Sequence, residues 1–169
     1  MLPRGIRNHN PLNIRRNGKD QWKGLADYQQ DAALTSGRLS SGSADSKQVS
    51  VCTRYDAEFC QFKSLEYGWR AAFYLLTRTY YHKYRLYTIR GIISKWAPPT
   101  ENKTEAYIAN VSALTGILPD EPLGIPSDQP SRWMMLGAAM AIQENGTESL
   151  DYFAMMRGWE LARSDVGKT

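Results

Sequence analysis

Apolar and polar positions follow two different rhythms along this chain, and the change falls near residue 64. Beyond it, apolar residues recur at helical spacing. Leu65, Trp69, Ala72, Phe73, Leu76 and Tyr80 predict a helix over Ser64–Tyr81. Thr88 can cap a short helix, Ile89–Trp96, that Pro98 and Pro99 terminate. Tyr107, Ile108, Val111 and Leu114 share one face of a helix running from about Thr104 to Thr115, with Gly116 after it. Four prolines make 117–130 a stiff connector. The run Ser131–Gly146 then has almost no polar face, and a final helix over Ser149–Arg163 carries Leu150, Phe153, Ala154, Arg157 and Leu161 on one side. Before residue 64 the pattern is different. Residues 1–14 are rich in turn formers, including Pro3, Gly5, Asn8, Asn10, Pro11 and Asn13. Residues 27–48 are Ser/Gly/Ala-rich and polar, which predicts a mobile surface excursion. Residues 49–62 alternate as two short strands about a turn near Asp56. The reading is an α+β chain, mostly helical, with a small β-hairpin lobe. It forms a single domain over 1–169, divided into a loop-and-hairpin lobe at 1–63 and a helical lobe at 64–169.

The run Ser131–Gly146 is the stretch around which the rest is arranged. Ser127 or Ser131 can cap it, Pro130 suits its first turn, and Gly146 can stop it. A helix that is apolar all round is normally buried. Its last turn carries one carboxylate, Glu144, in register with Trp133, Gly137, Met140 and Ala141. A carboxyl group held against apolar neighbours has its pKa raised, which suits a general acid working near neutral pH. The other reading is that Glu144 ends a core helix and faces water.

Composition adds direction. The 169 residues suit one domain with a sizeable core, and 42% apolar with 22% charged residues is ordinary for a globular protein. Ten Tyr and five Trp supply rings that pack cores or line grooves against sugars. A net charge of +4 favours an anionic partner such as a bacterial wall polymer, nucleic acid or lipid headgroups, though the excess is too small and scattered to single out nucleic acid. No apolar run is long enough to span a membrane, and the N-terminus lacks the apolar stretch of a secretory signal. His9 and His82 are far apart and no metal-ligand spacing exists, so no cofactor or metal is expected. Cys52 and Cys60 would face each other across the hairpin, either as a disulfide or as two buried thiols. Trp22, two residues before Gly24, is either a sugar-stacking ring or a core anchor, and the Asn-rich 8–13 loop either fixes irregular backbone or binds a polar ligand.

Four stretches carry a resemblance. They are RGIRNHNPLNIR at 4–15, Trp22-Lys23-Gly24, DAEFCQFKSLEYGWRA at 56–71 and TIRGIISKWAPPTENKTEAYIANV at 88–111. Together they resemble a family of phage- and prophage-encoded virion proteins similar to lysozyme-like wall hydrolases. A more distant similarity is to the flagellar and autolysin glucosaminidases. Asn10–Arg15, Trp22–Gly24, Phe59–Ser64 and the stretch from Trp96 to Tyr107 resemble successive motifs of that family. Its catalytic helix would precede Asn10, where only nine residues stand. The stretch from Ala141 to Gly146 instead looks like the Ala-x-Gln-Glu-Ser-Gly of lysozyme-like glycosidases and transglycosylases, with Asn145 in place of Ser. The resemblance therefore implies a circularly permuted, lysozyme-like fold.

It also implies chemistry. Cleaving a β-1,4 glycosidic bond needs a proton on the leaving oxygen and help for an oxocarbenium-like carbon. Glu144 is the expected acid. Asp56 is the first candidate for a second carboxylate, with Glu58 and Glu101 as alternatives. Tyr107 would hydrogen-bond near the reacting sugar, or else is a core tyrosine. Asn8, Asn10, Asn13, Trp22 and Glu101 are the expected substrate contacts. The expected partner is peptidoglycan glycan strands, together with phage virion proteins, a secretion-system carrier or an immunity protein. The expected route is synthesis in the cytoplasm and action in the periplasm or at the cell wall, after delivery by a phage particle, a holin or a secretion system. The alternatives are a non-catalytic virion or wall-binding protein, and a nucleic-acid-binding module using Arg4, Arg7, Arg15, Arg16 and Lys19 beside Trp22.

Overall fold

A computed structural model of the chain describes residues 1–26 and 55–164. Among the described residues six α-helices follow in order: α1 (Arg4–Arg7), α2 (Leu65–Tyr74), α3 (Ile89–Trp96), α4 (Thr104–Thr115), α5 (Pro130–Asn145) and α6 (Tyr152–Ser164). Between α2 and α3 the chain continues as a π-helical segment, Leu75–Lys83.

Local chemistry sets most of these bounds. The Thr88 hydroxyl accepts from Gly91 N–H at 3.1 Å and caps α3. Gly116 and Gly146 both adopt positive φ, at 71° and 64°, and stop α4 and α5 in the left-handed conformation that glycine takes without strain. Pro130 occupies the first turn of α5, where a missing N–H costs nothing. Neither expected serine caps that helix: the Ser127 hydroxyl turns to Asp128, and Ser131 lies inside the helix. Asp151 caps α6 by accepting from Ala154 N–H at 3.0 Å, so the helix starts later than the pattern predicts.

The core lies between α2, α5 and α6. Trp69 stacks on Phe73 at 5.4 Å, and Trp159 meets Phe73 edge-on at 5.1 Å. The packing face of α6 follows the predicted one only in part, since Ala154 is buried but Phe153 and Arg157 face outward. Ala154, Gly158 and Ala162 face α2, with Met155 and Trp159 beside them, while Phe153 is 87% exposed. Small residues at that spacing let the two backbones approach. A Cβ on Gly158 would collide with the Trp69 side chain and lie 2.9 Å from Arg70 N and Glu66 O. Helix α5 buries Trp133, Leu136, Gly137, Ala139, Met140 and Ala141, but Met135 is exposed and Met134 and Ala138 are half-buried. It is therefore one-sided rather than enclosed all round.

The expected α+β architecture, lysozyme-like and permuted with a β-hairpin lobe, is not what the described residues form. They are helical, and the only β pairing is two isolated bridges, Arg15 with Phe59 and Leu25 with Phe62. The reason is that residues 58–63 change partner every few positions. Glu58 O accepts from Arg16 N–H, Cys60 N–H donates to Ile14 O, Gln61 O accepts from Ala26 N–H, and Phe62 N–H donates to Asn8 O. No two-stranded ladder has room to develop. The expected excursion at 27–48 and the first part of the expected hairpin, 49–54 with Cys52, lie outside the described residues. Cys60 is a buried thiol.

The N-terminal loop is part of the core. Leu12 is fully buried and Ile14 nearly so. Asn10 holds the loop by donating to Ile14 O and Cys60 O and accepting from Ile14 N–H. Among the described residues, no helix is long and apolar enough to cross a membrane.

Candidate active site

Glu144 sits in the last turn of α5, half-buried, at the edge of an open cleft of about 400 Å³. Three elements donate to its carboxylate. The Trp96 indole N–H, at the end of α3, reaches Oε1 at 2.9 Å. The Tyr107 hydroxyl, from α4, reaches the same oxygen at 3.2 Å. The Asn13 amide, from the N-terminal loop, reaches Oε2 at 3.3 Å. Oε1 is thus held twice and Oε2 once, by a longer bond. Glu144 does continue the buried stripe of its helix, but its carboxylate meets three polar donors rather than apolar neighbours.

The π segment helps shape the cleft. The Thr77 hydroxyl donates to Phe73 O at 2.7 Å, and Tyr84 N–H reaches back five residues to Thr79 O. This wider winding is rare and often found at functional sites. It sends Leu75 and Tyr80 toward the cleft, where Trp22, Trp96 and Phe59 add aromatic surface. Burial, and then the nearby Tyr84, pushes the Tyr80 hydroxyl up to about 12. Burial, and then the Glu144 charge, pushes Tyr107 far above the ordinary phenol range. Tyr107 is therefore a standing donor to Glu144.

The other expected residues divide. Asn13, Trp22 and Glu101 line the Glu144 cleft, and Tyr107 touches Glu144 from behind. Asn8 and Asn10 are 4% and 0% exposed, spend their amides inside the protein and do not line the Glu144 cleft. Asp56 lies outside the cleft. It accepts from Arg4 Nε at 2.7 Å, Asn8 Nδ2 at 2.9 Å and the N–H groups of Glu58 and Phe59. Burial alone would raise its carboxyl, but these donors together hold it well below the usual carboxylate range. Asp56 is therefore a turn-closing anion that the structure does not bring together with Glu144. Glu58 pairs with Arg4 at 3.1 Å and lines another depression beside Asp56. The carboxylates that share the Glu144 cleft are Asp20 and Glu101.

The basic N-terminal residues do not form one stripe either. Arg4 pairs with Asp56, Arg15 lies over the Phe59 ring at 5.0 Å, and Arg16 donates to Asp56 O. Two site residues escaped the sequence reading. Trp96 stands in the quoted motif, at a helix end fixed by two prolines, and that position was its signal. Asp20 gave none beyond a turn beside Asn17-Gly18. Among the described residues, no group of three or more His, Cys, Asp or Glu is placed to hold a metal ion.

No family model matches the chain. It is 34% identical over 159 residues to Protein P5 of Pseudoalteromonas phage PM2, a match that spans 93% of this chain and 80% of that protein. The chain belongs to the Protein P5 family. The family is therefore represented in a phage. In this member of the Protein P5 family the match spans nearly the whole chain.

Proposed function

We propose that this protein is a glycosidase that cleaves β-1,4 bonds of the bacterial wall glycan, with Glu144 as the proton donor. One observation carries the reading: a carboxylate fixed by donors from three separate elements opens onto an aromatic-lined cleft. Fixing an acid by neighbours whose own positions are locked is what proton transfer to a bound substrate requires. Trp96 and Tyr107 occupy Oε1, so Oε2 exchanges the proton with the leaving glycosidic oxygen. The Asn13 amide, which can turn its oxygen toward a protonated Oε2, follows that exchange. Its Oδ1 is buried with no partner while its nitrogen faces Glu144. Trp22 and Trp96 offer flat faces for sugar rings. Asp20 and Glu101 are the carboxylates able to assist from the same cleft, either activating water or steadying charge at the reacting carbon. A phage relative fits an enzyme that opens a bacterial wall and that works with virion proteins.

The test is Glu144→Gln assayed by turbidity loss of purified sacculi. General acid catalysis contributes about 10²–10⁴-fold, and lysis falls by about that factor. Folding survives, because the new amide can donate to Asn13 Oδ1 and its oxygen still accepts from Trp96 and Tyr107. Equal lysis by both proteins at equal melting temperature removes Glu144 as the acid. No lysis by either protein removes the enzyme reading.

A further inference from the structure

The cleft does not end at Trp22. A second depression of about 320 Å³ begins on its far side and shares Asn17, Asp20 and Trp22 with the first. Its character differs. The Glu144 side holds three acids, Asp20, Glu101 and Glu144, against one cation, Arg15, whereas the far side is lined by Lys19, Lys23 and Arg70, with Asp20 as its one carboxylate. That carboxylate is tied down, since Asp20 Oδ2 accepts from Asn17 N–H at 2.9 Å. The turn is preformed: Asn17 Oδ1 accepts from Lys19 N–H at 2.8 Å, and Gly18 takes a positive φ of 75°. Lys19 and Lys23 are exposed at the rim, and Arg70 is buried beneath, 5.8 Å from the Tyr74 ring. Trp22 meets Tyr74 edge-on at 5.9 Å, so one aromatic wall separates the acidic half of the groove from the basic half.

We propose that the basic half is a subsite for the carboxylate-bearing peptide arms that branch from the wall glycan. The inference rests on the glycan-cleaving reading and names its substrate more closely. The sugars lie against Trp22 and Trp96 beside Glu144, and one arm crosses Trp22 to place its carboxylates over Lys19 and Lys23. A strand without arms keeps only lactyl carboxylates, which lie close against the sugar backbone and do not cross Trp22. The same two lysines then distinguish a decorated strand from a bare one of identical backbone. Charge at a rim acts on encounter and retention rather than on bond cleavage, so its signature is in KM.

The experiment compares soluble wall glycan strands carrying intact peptide arms with the same strands stripped of them by an amidase, which removes the arms and leaves only the short lactyl carboxylates on the sugars. Wild type and Lys19→Gln/Lys23→Gln are assayed on both, with melting temperatures measured in parallel. Exposed ion pairs each contribute a few-fold, so the double variant raises KM on arm-bearing strands about tenfold with kcat unchanged. On stripped strands the two proteins behave alike. Raising the salt concentration erodes the wild-type preference, as it does for exposed charges. Lys19→Gln alone gives a smaller shift in the same direction and serves if the double variant is unstable. A wild type that cleaves both substrates with the same KM, or a double variant whose KM does not move, overturns the subsite and leaves the glycosidase standing. A wild type that cleaves neither overturns the glycosidase and the subsite with it.

Discussion

An indole N–H can only donate, so Trp96 decides which oxygen of Glu144 is held and which is left to exchange a proton. Tyr107 supports the same oxygen, and its hydroxyl stays protonated throughout any working pH range because burial and the adjacent carboxylate both disfavour the phenolate. Trp96→Phe keeps a ring at the cleft wall and removes the donor. A hydrogen bond to a charged group contributes about 1.5–3 kcal/mol, which corresponds to a factor of about 10–100. The expected result on soluble wall glycan is a kcat lowered by about that factor with KM little changed, because the sugar-stacking surface remains. A kcat equal to wild type would show that Trp96 shapes the cleft and does not position the acid. Neither residue's part follows from spacing alone. Tyr107 falls on an amphipathic helix, where a core role explains it equally well, and Trp96 is hidden among residues that read as a helix end.

At the scale of elements, the turn at Asp56 shows how one side chain can replace a sheet. Asp56 Oδ1 accepts from the N–H groups of Glu58 and Phe59, and Oδ2 receives Arg4 and Asn8, so the turn is joined to α1 without a ladder. The folded-state carboxyl lies below its unfolded value. Its stabilisation is therefore fully present above the ordinary carboxylate pKa of about 3.9 and fades as the pH falls further. Asp56→Asn should lower stability at pH 7 by roughly 1–3 kcal/mol. Urea midpoints at pH 7 and pH 3 check the sign, since the deficit narrows at the lower pH. An equal deficit at both would mean that the charge of Asp56 contributes nothing. Helix punctuation was readable in advance, because Thr88, Gly116, Pro130 and Gly146 each act on backbone groups next to them in the chain. The hairpin was not, because alternation at 55–62 reports extended backbone and not its partner, and the partners are 8, 14, 16, 24 and 26. The face of α6 was misread in part for a related reason. Phe153 counts as apolar in any pattern, yet the close approach at Gly158 turns Ala154 and Ala162 inward and leaves Phe153 outside.

At the scale of the whole molecule, the candidate site exists only because the two ends of the described chain meet. Asn13 and Glu144 are 131 positions apart, and neither α5 nor the N-terminal loop makes the site alone. The join is made by Asn145, which is 8% exposed and donates to Pro11 O at 2.9 Å and to Ala141 O at 2.8 Å. One amide thus ties the loop to the last turn of the helix that carries the acid. Gly5 closes the other side. A Cβ there would collide with Asn145 Oδ1 and lie 2.7 Å from Asn10 O and 3.0 Å from Asn13 Oδ1, so α1 can approach only where it has no side chain. Asn145→Ala leaves a buried carbonyl on Pro11 without its donor, at a cost of about 1–3 kcal/mol. With the tie gone the loop is free to move from α5, and Asn13 moves with it. The variant is expected to fold, since Leu12, Ile14 and the Asn10 bonds still hold the loop to the core. Its kcat on wall glycan should fall about tenfold at a temperature well below melting. Hydrogen exchange at the Asn13 and Ile14 amides should quicken, while exchange within α6, which packs on α2 through Gly158, stays as in wild type. Unchanged exchange at Asn13 together with wild-type kcat would mean that the N-terminal loop holds its place without Asn145, and that Glu144 is positioned by Trp96 and Tyr107 alone.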